Sequence, residues 1–159
     1  MLKGLKHSLL LAVVLSFLPA GAASAFAAPF PNPQAPASQD TLYKRLGGYD
    51  ALAAVTDDFI TRLATDPKEG RFFVGHSTDS KVRIRQHLVD FLCVATGGPC
   101  KYTGRDMATA HTGLGITEED WTIAVKLLGD TLNKFQVPAE LQQQVVGAIA
   151  PLKSQIVGR

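Results

Sequence analysis

Apolar residues in this chain recur at three- and four-residue steps. The segments that carry them are cut short by glycines: Gly47-Gly48, Gly97-Gly98 ahead of Pro99, and Gly113 with Gly115. Such spacing puts one apolar stripe on each helix. No stretch alternates with the period of two that a half-buried strand requires. The fold class is therefore all-α. Helices broken by glycine pairs and joined by irregular segments suggest elements that cross one another around something, unlike a simple up-down bundle.

The elements can be placed in order. A short helix follows Asp40 or Thr41, with Leu42, Tyr43 and Leu46, and stops at Gly47. A second spans 50–64, with Leu52, Val55, Phe59 and Leu63 on one face, and ends at Asp66-Pro67. Residues 71–76 form an aromatic corner without regular structure beyond a turn. A longer helix spans 80–96, with Ile84, Leu88, Phe91, Leu92 and Ala95 apolar. After a short helix ending near His111, Thr117 opens another with Glu118, Glu119 and Asp120 in its first turn, carrying Trp121, Val125, Leu128, Leu132 and Phe135. The last begins near Pro138 and packs Leu141, Val145, Ile149 and Leu152, with Pro151 kinking it or ending it early.

The first residues read as a processing signal. Lys3 and Lys6 precede an apolar run from Leu9 to Leu18, and Ala23-Ser24-Ala25 is a small-residue cleavage pattern. Residues 1–25 are thus expected to be a signal peptide and 26–40 a Pro/Ala-rich linker, leaving one domain over 41–159. An exported, periplasmic location follows, with no membrane contact after cleavage. Cleavage also takes 16 basic residues to 14 against 14 acidic ones, so the mature chain is formally neutral. No basic cluster with interleaved aromatics marks a nucleic-acid partner. Cys93 and Cys100 sit seven apart, and an oxidising compartment favours a disulfide between them. Two free thiols or metal ligands are the other readings. The absence of a CxxCH motif excludes c-type haem attachment through it.

Three histidines remain in the mature chain: His76, His87 and His111. His111 shares a helical face with Met107 and Leu114, so a basic nitrogen points into apolar surroundings. It is either a core histidine donating to a backbone carbonyl or a ligand. His87, between Ile84 and Phe91, is either a boundary histidine or a ligand approaching from another helix. No carboxylate stands at a spacing that would make a zinc site, and no nucleophile or phosphate-loop motif is present.

Taken together, Leu42 to Gly48, Phe72-Phe73 followed by Gly75, Phe91 through Gly97-Gly98-Pro99, Tyr102 to Arg105, and Ala110-His111 with Gly113-Leu114-Gly115-Ile116 resemble the group I truncated haemoglobins, bacterial-type globins. The resemblance covers about 41–157 and implies a two-over-two helical sandwich holding a non-covalent b-type haem. It implies that His111 is the proximal iron ligand and that Phe73, with Phe72 beside it, packs on the haem. Phe59, Ile60, Ile84, His87 and Leu88 fall at the family's distal-pocket positions. Tyr102, Met107, Leu114, Ile116 and Trp121 fall near the haem rim or its proximal face. Arg85, Lys81 and His76 are either propionate contacts or solvated surface groups.

Two departures bear on chemistry. Ile60 stands where many members have an oxygen-binding tyrosine, and Leu88 where many have a glutamine. A hydrogen bond to a bound ligand contributes about 1 kcal/mol or more, so losing both donors should speed release by about tenfold or more. Some members carry a histidine at the position of His87 that binds the iron when no external ligand is present, and His87 is a candidate for that role. The implied function is reversible binding of a diatomic ligand such as O₂, NO or CO. The alternative is a haem redox enzyme acting on NO, nitrite or peroxide and supplied by an external electron donor.

Overall fold

The computed structural model describes residues 40–159, so the expected signal peptide and all but the last residue of the expected linker lie outside the described residues. The elements are α1 (Leu42–Arg45), α2 (Gly48–Thr65), a 3-10 turn (Glu69–Phe73), α3 (Thr78–Ala95), α4 (Met107–His111), α5 (Glu118–Lys134), α6 (Ala139–Ile149), a second 3-10 turn (Ala150–Leu152) and α7 (Lys153–Ile156). None of the described helices is long and apolar enough to cross a membrane.

Side chains start most of these helices. Ser77 Oγ accepts from the Ser80 amide at 3.2 Å and Asp106 Oδ1 from the Thr109 amide at 2.9 Å. Thr117 and Asp120 form a reciprocal capping box at the head of α5. Each cap satisfies amides that the first turn leaves without a partner and is worth about 1 kcal/mol. The aromatic corner is more ordered than a bare turn. Asp66 Oδ1 accepts from the amides of Lys68 and Glu69 at 2.8 and 3.1 Å and winds the following residues into a 3-10 turn. At the other end of α5, Gln136 adopts a left-handed φ of 55°, so Phe135 leaves the helix and is 40% exposed instead of joining its apolar face. Pro151 falls inside the second 3-10 turn, where its missing N–H breaks the final helix into α6 and α7.

Helix α2 packs against both α3 and α5. Towards α5 and α6, Val55, Leu128, Leu132 and Val145 form a buried cluster backed by Leu42, Leu46, Phe59, Val137 and Ile149. Each such side chain contributes about 1.5–3 kcal/mol by leaving water. Towards α3, Leu52, Leu92 and Cys93 form a second cluster with Tyr43, Leu88, Phe91 and Cys100 around it. Cys93 is joined to Cys100, which ties the end of α3 to the segment leading to α4. Gly98 lies under this bridge. A Cβ there would come within 2.5 Å of the Tyr43 ring and 2.6 Å of Cys93 Sγ, so only glycine lets the chain turn back so closely.

Candidate functional site

Between α2, α3, α5 and the 102–116 segment the helices leave a half-open cavity of about 630 Å³, within the usual range of small-molecule and cofactor sites. Helix α2 contributes Phe59, Ile60 and Leu63; the first 3-10 turn contributes Glu69, Phe72 and Phe73; α3 contributes Ile84, His87, Leu88, Phe91 and Leu92. The far wall is Tyr102, Arg105, Met107, Ala110, His111, Leu114 and Ile116, with Asp120, Trp121, Ala124, Val125 and Leu128 from α5. Ile149, Leu152 and Ile156 close the C-terminal side.

His111 is held by its own helix. Its Nδ1 lies 2.7 Å from the Met107 carbonyl oxygen. That oxygen can only accept, so Nδ1 carries the proton and Nε2 keeps its lone pair. The backbone bond is the one that the core-histidine reading expects, and it leaves the other nitrogen with the lone pair that the ligand reading requires. Helix α4 is five residues long and buries none of them, so its position depends on tethers. The Gly115 amide donates to the Arg159 carbonyl at 3.2 Å and the Gly158 amide to that of Ile116 at 2.9 Å, pinning the segment after His111 to the C-terminus.

His87 sits on α3 with Nδ1 shielded from solvent and without a hydrogen-bond partner among the described residues. Tyr102 packs edge-on against it and against Phe91, ring centroids 6.1 and 5.6 Å apart. The Tyr102 hydroxyl donates to the Arg105 carbonyl at 2.6 Å. Its ring lies so close over Gly104 that a Cβ there would stand 2.4 Å from the hydroxyl oxygen. Burial, and then the charge of Asp106, raise the Tyr102 phenol above its ordinary 10.0, so it stays protonated.

All but one of the residues expected at the site line this cavity. The exception is Arg85. Its guanidinium makes a two-pronged bond to Asp57, 2.7 and 2.9 Å, on the outside of the α2–α3 contact. The partnership fits a carboxylate fork better than a distant anion, and it also holds Asp57 below the usual carboxylate range. Gln86, next to Arg85 on α3, donates to the Tyr49 hydroxyl and to Asp90. The exposed Arg83 and His76 border the cavity, and Lys81 lines a smaller neighbouring pocket. Leu63, Val125, Leu128, Ile149 and Leu152 were legible only as helix-packing residues, because an apolar stripe looks the same whether it meets another helix or a ligand. Ile156, four residues after Leu152, continues that stripe. Glu69 carried no signal at all.

The wall is mainly apolar, with one imidazole whose Nε2 is available, a second imidazole nearby in the same cavity, and Arg83 and Arg105 at its border. A flat apolar macrocycle with a central metal and peripheral carboxylates fits that donor set. The family model described as bacterial-like globin matches residues 41–157. The group 1 truncated haemoglobin GlbN of Mycolicibacterium paratuberculosis is 36% identical over 116 residues, covering 73% of this chain and 83% of that protein. The corresponding protein of Nostoc commune is 34% identical over 119 residues, covering 75% and 98%. Among solved structures, the truncated haemoglobin of Tetrahymena pyriformis in its Fe(III) form superposes with a TM-score of 0.69 at 26% identity, covering 75% of this chain and 99% of that one. The chain belongs to the bacterial-like globins and is a group 1 truncated haemoglobin, a globin that binds haem and, through it, diatomic gases.

Proposed function

We propose that this globin is exported and binds a diatomic ligand reversibly at a non-covalent b-type haem held by His111, with His87 as a second iron ligand when no external ligand is present. The observation that carries the reading is the His111 Nδ1 bond to the Met107 carbonyl at 2.7 Å, which presents Nε2 within the cavity wall. The haem iron supplies the binding of O₂, NO or CO, and an external electron donor maintains its ferrous form. Phe72 and Phe73 supply aromatic surface for the macrocycle, and Arg83 and Arg105 supply positive charge for its carboxylates. Ile60 and Leu88 keep the distal side dry and offer no hydrogen-bond donor. His87, whose Nδ1 has no partner, is the cavity's remaining imidazole, able to occupy the iron or to donate once displaced. Export rests on the leader pattern at 1–25 and agrees with the Cys93–Cys100 bridge, which persists in oxidising compartments.

Optical spectra of the haem-loaded mature chain test the ligand set. A six-coordinate low-spin ferric wild type that turns high-spin in His87→Ala establishes His87 as a ligand; identical high-spin spectra remove it. Export is checked by N-terminal sequencing of the protein from a periplasmic extract. A chain beginning at Phe26 or soon after is expected, and a chain retained in the cytoplasm with Met1 would overturn it.

A further inference from the structure

Glu69 belongs to the cavity wall, yet nothing in the haem-binding reading uses it. The residue is 4% exposed, its Oε1 is shielded from solvent, and that oxygen has no hydrogen-bond partner among the described residues. Asp120 lies beside it from α5, 3% exposed. The two carboxyl groups are treated very differently. Asp120 Oδ2 accepts from the Thr117 amide at 2.8 Å and the Thr117 hydroxyl at 2.7 Å, and Arg71 donates to both of its oxygens at 2.8 Å. Those bonds hold Asp120 down at about 2 and keep it charged.

A second carboxylate in the same dry wall would lack solvent and compensating donors and would sit next to a fixed negative charge. Each condition favours the neutral acid. Burial first and Asp120 second raise Glu69 above its ordinary 4.5, with Asp66 adding to the rise and Arg71 opposing it. The charged groups facing Glu69 are therefore Arg71 on its own turn, Asp120 on α5 and Asp66 at the end of α2. His76, His87, His111, Arg83 and Arg105 complete the ionisable groups around the cavity, with Tyr102 kept neutral.

We infer that Glu69 is a proton-binding site linked to the charge of the haem, taking up one proton when the haem is reduced and releasing it on oxidation. The inference rests on the reading that this cavity holds haem. The step balances simply. One electron from an external donor converts ferric to ferrous haem and removes one positive charge from the cavity. One proton from solvent joins the Glu69 carboxylate, forming an O–H bond and removing one negative charge. In a low-dielectric cavity the positive ferric centre favours the carboxylate and the ferrous centre favours the acid. The ferrous, gas-binding form is thus stabilised by acid. Within the window between the two Glu69 pKa values, the ferrous-to-ferric ratio at a fixed donor potential falls up to tenfold per pH unit, equivalent to 59 mV for a one-electron couple.

The experiment is a spectroelectrochemical titration of the haem-loaded mature chain, wild type and Glu69→Gln, from about pH 5 to about pH 8. The wild-type potential should fall with pH more steeply than that of the variant, and the difference between the two curves is the Glu69 contribution. Superimposable curves would overturn the linkage. Should the glutamine chain fail to load haem, the wild type alone decides through its reduced-minus-oxidised infrared spectrum. A protonated-carboxyl C=O band that appears on reduction, shifts in D₂O and does not move when the haem carboxylates carry ¹³C supports the inference, and its absence overturns it. A chain that develops no Soret band on haem addition overturns the haem reading, and this inference with it. A haem-loaded chain with superimposable curves overturns the proton linkage alone.

Discussion

Helices α2 and α5 serve two neighbouring halves of the molecule, and the halves treat polar atoms differently. On the filled side, Val55, Leu128, Leu132 and Val145 pack against one another, and Asp58 has a partner for each oxygen: Arg62 at 2.6 Å, Thr131 at 3.1 Å, and Lys134. On the open side, the same helices face the 630 Å³ cavity. Of the three shielded side-chain atoms without partners among the described residues, two belong to its wall, His87 Nδ1 and Glu69 Oε1; the third is Thr56 Oγ1 on α2. Native interiors rarely leave such atoms unpaired. Where the protein packs against itself, Thr56 Oγ1 is the one such atom among the described residues, and the other two stand where a cofactor and its chemistry could engage them.

The sharpest break of this comparison pairs one substitution from each side. Leu132→Ala should cost about 2–5 kcal/mol of stability, as a buried leucine truncated in a packed core does. His111→Ala should leave the melting temperature of the haem-free chain nearly unchanged while abolishing stable haem uptake. Thermal melts of both haem-free variants and a haem titration followed at the Soret band read the two effects separately. An alanine variant at 111 that takes up haem with an unaltered spectrum would end the proximal assignment. A haem-free wild type that is already unfolded would end the idea of an independent filled side.

The disulfide ties the end of α3 to the segment leading into α4 and should have the next largest effect. It closes a short loop, for which chain entropy gives roughly 2–3 kcal/mol. The strand of chain it tethers leads directly into Tyr102, Arg105 and α4. Replacing Cys93 and Cys100 together by serine should lower the urea midpoint by a corresponding amount and loosen haem retention as well. Oxidised wild type, denatured, should show no titratable thiol; two thiols would remove the bridge.

Titration gives Asp58 on the filled side and Glu69 on the open side opposite signs. Lys134 and then Arg62 hold Asp58 at about 2, below its ordinary 3.8. Its contribution to stability is complete above that ordinary value and is lost as pH falls through the folded one. Glu69 is shifted upward by burial and Asp120, so its contribution is complete in acid and is lost as pH rises from 4.5 through its folded value. Denaturant melts across this range should show Asp58→Asn losing its penalty towards pH 2, while Glu69→Gln is neutral or stabilising near neutrality. A Glu69→Gln chain less stable than wild type above the folded Glu69 pKa would contradict the unpartnered-acid description.

These contrasts also show what was readable in the residues themselves. The all-helical class, most helix boundaries, the capping residues of α5 and all but one of the expected site positions lie where apolar periodicity and the ordered motifs place them. Those features are local, or they travel with a family pattern. What escaped reading depends on partners far away in sequence. Arg85 is drawn to Asp57, 28 residues earlier, and Glu69 matters because α5 brings Asp120 beside it. Ile149, Leu152 and Ile156 face the cavity because the backbone stays right-handed helical through the second 3-10 turn and carries the apolar stripe of α6 on into α7. No pattern of spacing reveals which apolar stripe meets protein and which meets a ligand.

The smallest expected effect concerns the two silent distal positions. Ile60 and Leu88 both line the cavity, and neither can donate a hydrogen bond. If the open side is unfinished only where chemistry needs it, installing a donor should change ligand release and little else. Ile60→Tyr or Leu88→Gln should slow oxygen dissociation about fivefold to tenfold, the kinetic equivalent of about 1–1.4 kcal/mol from one hydrogen bond. The melting temperature of the haem-free chain should stay within a few degrees, because a cavity wall tolerates a polar tip that the Val55–Leu132 cluster would not. Stopped-flow oxygen release from the ferrous protein measures the first, and calorimetry the second. Release unchanged in both variants would mean that His87 already donates to the ligand. In that case His87→Leu, in place of any change at 60 or 88, should produce the large acceleration.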